Sequence, residues 1–207
     1  MKRKRERKKV TSDRLLARLR EVGALLEGHF HLTSGQHSPV FVQCSRIMQY
    51  PPDAALIGEA LAGRFSDLGV SVVVGPAMGG VLLAHEVARA LGVRSAFTEK
   101  QDGSQVLRRG FRLTPQDRVL LVEDVLTTGG SVLRSAAAVR GTGAKIVGVG
   151  LIIDRTAGRA AEALGLGPEV RVESLAFVDA PAYPPDQCPL CREGVGLVRP
   201  KDQDPVG

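Results

Sequence analysis

The sequence predicts an α/β fold in which a central, mostly parallel sheet of doubly wound type is flanked by helices. Short apolar runs without alternation, such as Val70 to Val74, Val119 to Val122 and Lys145 to Ile153, suit strands covered on both faces. Residues at helical spacing follow these runs across Gly-rich turns, as in SVLRSAAAVR after Gly130. Strands that alternate with helices imply parallel pairing.

The elements follow in order. Thr11 or Ser12 caps a first helix whose Leu15, Leu16, Leu19, Val22, Leu25 and Leu26 form one apolar stripe, with Gly28 as its end. Short strands near 30–33 and 40–44 flank the turn Ser34-Gly35. Pro51-Pro52 opens a helix over 53–68, with Asp53 as its cap. A strand over 70–74, a helix over 80–91 and a strand over 93–97 come next. The polar stretch 99–113, with Gly103 and Gly110, suits an exposed hairpin or mobile loop. After the strand at 119–126 and its helix come a strand over 145–153, a short helix over 158–164 and a last strand over 169–178.

At 207 residues one domain is the default. Residues 1–11 read as a basic disordered tail, 12–193 as the folded domain with a small N-terminal part at about 12–50, and 194–207 as a disordered C-terminal tail. The net charge of +6 is located, not general: residues 1–10 hold seven Lys/Arg and one acid, and the rest of the chain has 21 of each sign. Such a run is a solvated tail before it is a nucleic-acid arm. No apolar run approaches the ~20 residues that span a bilayer, and no stretch of signal-peptide type opens the sequence. Three Cys, an odd number, argue against a disulfide framework and for a cytoplasmic location.

The segment VLLVEDVLTTGGS, Val119 to Ser131, carries the chemistry. Its turn sits between the carboxyl end of a strand and a helix amino-terminus, where open α/β sheets bind ligands. Free amides of the turn and helix start at Thr127, Thr128, Gly129, Gly130 and Ser131, two glycines and three hydroxyls favour a phosphate. Glu123 and Asp124 need a different partner, for which ribose hydroxyls, directly or through Mg2+, are the natural choice. No Walker loop and no G-x-G-x-x-G is present. A second Gly-rich turn, Gly75-Pro76-Ala77-Met78-Gly79-Gly80, lets backbone approach an anion or serves tight helix–strand packing. Lys100, Arg108 and Arg109 supply cations on the polar loop. Arg155 suits bidentate pairing with a carboxylate, or a strand-end network with Asp154. Cys188-Pro-Leu-Cys191 has the spacing of half a zinc knuckle; two copies from paired subunits would supply four thiolates. His29, His31 and His37 match no metal spacing and read as surface or N-terminal-region residues.

These segments resemble the phosphoribosyl-diphosphate (PRPP) motif of type I phosphoribosyltransferases, in which an acid pair precedes Thr-x-Gly-x-Ser/Thr. GHFHLTSGQHSPVF at 28–41, GPAMGG at 75–80, FTEKQDGSQVLRRGF at 97–111 and LIIDRTAG at 151–158 narrow the resemblance to the orotate phosphoribosyltransferase family, over roughly residues 12 to 193. The resemblance implies the type I phosphoribosyltransferase fold with an N-terminal hood. It also implies transfer of phosphoribose from PRPP to orotate, with Mg2+ bound mainly through PRPP near Glu123 and Asp124. It assigns Asp124 and Lys100 to catalysis, and Glu123 to Ser131 with Lys100 to PRPP. Thr127, Arg155 and Phe41 fall to orotate; Pro76, Ala77, Gly79 and Gly80 form the pyrophosphate loop. A homodimer is implied, with loop 99–113 serving the partner's site. Three departures stand out: Gly79 and Thr33 replace lysines common in the family, and Glu99 replaces an Arg.

Two other readings share the motif. A purine-base phosphoribosyltransferase has no need of Arg155. A PRPP-sensing regulator needs a folded nucleic-acid module, and about eleven residues before the first helix are too few for one.

Overall fold

The computed structural model describes residues 10–32 and 34–200, so the basic run 1–9, Thr33 and residues 201–207 lie outside it. Helix α1 spans Ser12–Glu21, with the Thr11 hydroxyl accepting from the Arg14 amide. It ends at Glu21, short of Leu25, Leu26 and the Gly28 that the apolar stripe suggests as its end. Gly23, at φ 67°, closes the helix by donating to Arg20, and Leu25 and Leu26 begin strand β1 (Leu25–His31) instead. Strand β2 (His37–Val42) pairs antiparallel with β1, giving a two-stranded hood; a short helix α2 (Ser45–Met48) follows.

Helix α3 (Pro51–Phe65) places its prolines in the first turn, where their missing N–H groups cost nothing. Asp53 therefore sits inside the helix rather than capping it, and its carboxylate accepts from Arg18 at 2.9 Å. Beyond lie β3 (Val72–Pro76), α4 (Gly79–Leu91), β4 (Arg94–Gln101), β5 (Ser104–Leu107), β6 (Arg118–Leu126), α5 (Gly130–Arg140), β7 (Lys145–Asp154), α6 (Ala160–Leu164) and β8 (Arg171–Phe177). The polar stretch after β3 and α4 is thus a hairpin, turning at Asp102-Gly103.

The six-stranded sheet has the order β5-β4-β3-β6-β7-β8, parallel except at β5. From β3 the chain steps to β4 on one side and then to β6 on the other. The carboxyl ends of β3 and β6 therefore border the switch point, where loops diverge and leave a crevice. Two cores cover the sheet. Leu15, Leu19, Ile57, Leu61 and Phe65 belong to one, with Cys44 of the hood; Val132, Val139, Leu151 and Leu164 belong to the other. Burial on both faces explains the unalternating strands.

The chain stays ordered beyond Gly194. Val198 exchanges backbone hydrogen bonds with His29 and His31 on β1, and Tyr183 does so with His37 on β2. The expected disordered tail from 194 is corrected for residues 194–200: Val198 supplies an edge partner that its proline-rich surroundings did not advertise. Among the described residues no helix is long and apolar enough to cross a membrane.

Candidate active site

Carboxyl ends of four neighbouring parallel strands deliver the sequence-predicted residues to one edge of the sheet. β3 ends in the loop Pro76 to Gly80, β6 in the turn 127–129, β7 at Asp154 just before Arg155, and β4 at the hairpin bearing Lys100. Two backbone bonds lock these ends in register. Ala77 donates to the Thr98 carbonyl at 2.7 Å, and Arg155 donates to the Leu126 carbonyl at 3.0 Å. Lys100 thus lies two residues beyond the contact with the Pro76 to Gly80 loop, and Arg155 flanks Thr127.

The glycines earn their positions by contact. A Cβ on Gly75 would run into the Gly80 carbonyl, and one on Gly80 would come within 2.8 Å of Pro76 Cδ, so β3 and α4 meet backbone to backbone. A Cβ on Gly79 would lie 2.8 Å from Asp124 Oδ2. The residue standing where lysine is common is therefore packed against the acid pair, and its lack of a side chain leaves that oxygen uncovered. Gly129 caps α5 at φ 77°, and a Cβ there would meet Leu164 at 2.9 Å. Gly129 brings the chain round so that Thr127 and Thr128 stand exposed at the amino-terminal end of an eleven-residue helix.

Glu123 and Asp124 differ despite adjacency. Glu123 is 7% exposed, and burial, helped by the Asp124 charge, pushes its carboxyl up to about 8. Asp124 is partly exposed and its Oδ1 accepts from the Val125 amide at 2.8 Å. The repulsion expected of two neighbouring carboxylates is relieved because one keeps its proton near neutral pH. Cys44, buried where the hood meets the sheet, reaches this pair: its thiol donates to the Asp124 carbonyl at 3.8 Å, and burial raises its pKa well above the usual thiol range. Nothing local to Cys44 announces that contact.

Arg155 is half-buried, and burial lowers its pKa. One Nη donates to the Ala180 carbonyl at 2.8 Å, while its buried Nε has no protein partner. The alternative strand-end network does not form in that way: Asp154 Oδ1 accepts from the Thr156 amide and hydroxyl, each at 2.6 Å. On the hairpin, Arg109 makes a two-pronged ion pair with Glu99 at 2.8 and 2.9 Å, whereas Lys100 and Arg108 stand exposed. Phe41 stacks obliquely on Phe30 within the hood, with ring centres 5.9 Å apart. Cys188 and Cys191 flank Pro189 and Leu190 at a short helix α7 (Pro189–Arg192), beside His29 and His37. Those two histidines are buried, not surface residues.

Residues 44–164 match the model of the phosphoribosyl transferase domain. The chain is 47% identical over 191 residues to orotate phosphoribosyltransferase of Pelotomaculum thermopropionicum, covering 92% of this chain and 97% of that one. It is 48% identical to the Thermus thermophilus enzyme of that name, covering 86% and 94%. Among solved structures, orotate phosphoribosyltransferase of Mycobacterium tuberculosis in complex with PRPP is similar at a TM-score of 0.58 and 32% identity, over 66% of this chain and 80% of that one. The Aeropyrum pernix enzyme gives a TM-score of 0.66 at 26% identity, over 79% and 93%. A domain match over more than half of the chain and relatives of 47–48% identity across most of both chains show that this chain belongs to the orotate phosphoribosyltransferase family.

Proposed function

We propose that the chain transfers the 5-phosphoribosyl group from PRPP to orotate, giving orotidine 5′-phosphate and pyrophosphate, a step of pyrimidine biosynthesis. The observation that carries the orotate assignment is Arg155, whose buried Nε lacks a partner beside the phosphate-type turn. A carboxylate satisfies that donor; a purine base, which has none, leaves it buried and unpaired.

In this reading the amides and hydroxyls of 127–131 hold the 5-phosphate at the start of α5, and Asp124 with Glu123 orients the ribose hydroxyls. The loop from Pro76 to Gly80 takes the pyrophosphate on backbone amides. Lys100, joined by Arg108, closes over the leaving group, stabilises its developing charge and excludes water. Thr127 and Arg155 align the orotate ring nitrogen against the anomeric carbon, with Phe41 as one wall of the base pocket. The nitrogen attacks as the carbon–pyrophosphate bond breaks, through a cationic, loosely bonded transition state. Positioning and charge account for the rate, since no side chain need form a bond.

The donor set also suits Mg2+: hard carboxylate oxygens, one of them left uncovered by Gly79. Asp124, with Glu123 nearby, would hold that ion together with PRPP, and it would offset negative charge on the pyrophosphate. A homodimer, in which hairpin 99–113 serves the partner's site, is supported by the exposed apolar Met78 and Leu82 at the start of α4. The cytoplasm is the proposed location, and residues 12–193 the proposed catalytic unit. Mixing the protein with orotate, PRPP and Mg2+ and following orotate absorbance tests the assignment. Absorbance should fall with orotate, while adenine and hypoxanthine yield no nucleotide; the reverse pattern overturns it.

A further inference from the structure

We propose that His29, His37, Cys188 and Cys191 of a single chain form a closed, tetrahedral Zn2+ site that fastens the C-terminal segment to the hood. The proposal is independent of the reaction assigned above. One ligand atom from each residue falls within a cluster no wider than 4.8 Å. His29 Nε2 lies 3.0 Å from His37 Nδ1, 3.4 Å from Cys188 Sγ and 3.7 Å from Cys191 Sγ, and His37 Nδ1 lies 3.2 Å from Cys191 Sγ. Tetrahedral zinc with nitrogen at about 2.0–2.1 Å and sulfur at about 2.3 Å requires ligand–ligand edges of about 3.3–3.8 Å. These four edges need only tenths of an ångström of adjustment, and the widest separation in the cluster, within 4.8 Å, closes by about 1 Å with a side-chain rotation.

Hydrogen bonding alone accounts poorly for this arrangement. His29 Nδ1 lies 2.7 Å from the Val195 carbonyl, which can only accept, so Nδ1 carries a proton and, in the neutral ring, Nε2 presents a lone pair inward. That single lone pair faces three neighbours at once. Convergence of lone pairs from two imidazoles and two sulfurs is what a cation resolves. The Val195 bond is also the outer contact that fixes tautomer and ring direction in a metal-ligating histidine. His29, His37 and Cys188 are buried, so the site is shielded on most sides. Four protein ligands leave no open position, which marks a structural site, and two thiolates with two imidazoles select zinc over magnesium or calcium.

The topology gives the ion something to hold. His29 and His37 sit on the two strands of the hood hairpin, while the cysteines bracket the turn before Gly194. The half-knuckle in Cys188-Pro-Leu-Cys191 therefore finds its other half across the fold and not in a second subunit. Because such a site does not exist in the unfolded chain, zinc binding adds to stability.

Full-length, tag-free protein purified without chelator tests the proposal. Metal analysis should give about one zinc per chain. X-ray absorption at the zinc edge should show two sulfur and two nitrogen neighbours, and Co2+-exchanged protein should show the intense visible bands of a tetrahedral thiolate site. Stripping the metal should lower the thermal midpoint by about 5 °C or more. The double variants Cys188→Ser/Cys191→Ser and His29→Ala/His37→Ala should each lose the metal. Wild-type protein with less than about a tenth of an equivalent, and no Co2+ spectrum, overturns the site. So does half an equivalent with four sulfur neighbours, a Cys188–Cys191 disulfide in metal-free protein, iron in place of zinc, or zinc retained by the histidine variant.

Discussion

Glu123 and Asp124 lie on β6, bracketed in the sheet by β3 and β7, whereas Lys100 and Arg108 stand exposed on the β4–β5 hairpin at its edge. The acids are held by strand pairing, a backbone hydrogen bond at 2.8 Å and the close approach of Gly79. The hairpin cations have two-stranded pairing behind them and solvent around them. In the proposed reaction the two regions divide the work. A sugar must be oriented the same way at every turnover, which favours a rigid seat. A leaving group must be covered during reaction and released afterwards, which favours a movable cover. Gly79 and Glu99 sharpen the contrast, since each removes a cation the resembled pattern would place nearer the rigid half.

The largest expected effect belongs to the rigid half. Asp124→Asn keeps the shape but removes the charge proposed to orient the ribose, and kcat should fall by about 10³-fold or more, with the circular dichroism spectrum unchanged. Activity within about tenfold of wild type would mean that the acid pair does not orient the sugar. Next comes Lys100→Ala, for which a loss of about 10²–10³-fold in kcat is expected, with PRPP affinity changed far less. Equal losses in kcat/KM and in PRPP binding would make Lys100 a ground-state anchor instead of a cover.

Sequence and structure agree most where a residue's role is set by its neighbours along the chain. The unalternating apolar strands, the Gly-rich turns and the acid pair were readable because strand, turn and helix start lie within about fifteen residues of each other. The end of α1 was not. Leu25 and Leu26 continue its stripe at helical spacing, and only the left-handed Gly23 hands them to β1. The His–Cys cluster was half legible: Cys188 and Cys191 announce themselves, but His29 and His37 meet them across more than 150 residues of sequence. The same holds for Cys44 against Asp124, a contact made by the hood folding onto the sheet. The unpaired Arg155 Nε is likewise a property of burial, invisible in the dipeptide Asp154-Arg155.

Burial of Glu123 makes a prediction about pH. Folded, Glu123 holds its proton to about 8, against an ordinary value of 4.5. Between these values the folded state binds more protons than the unfolded chain, so this group's contribution to stability falls as pH rises, by up to about 1.4 kcal/mol per pH unit. Glu123→Gln removes that slope. Urea midpoints of variant and wild type should diverge between pH 5.5 and 8.5 in favour of the variant. Parallel midpoints across that window would show that Glu123 is solvated and that the two acids are alike.

The smallest effect separates two adjacent arginines. Arg109 commits its Nε and one Nη to Glu99, a pair on the surface that contributes little to stability but holds the guanidinium turned toward β4. Arg108 forms no such pair among the described residues and stands exposed next to it, so it is the cation free to follow Lys100 toward a leaving group. Arg108→Ala should lower kcat by about tenfold, while Arg109→Ala should stay within about threefold of wild type. Raising the salt concentration should weaken the Arg108 contribution, because an exposed cation acting on a charged substrate is screened. If Arg109→Ala proves the more damaging, the Glu99 pair opens during turnover, and the hairpin exchanges that internal partner for pyrophosphate as it closes.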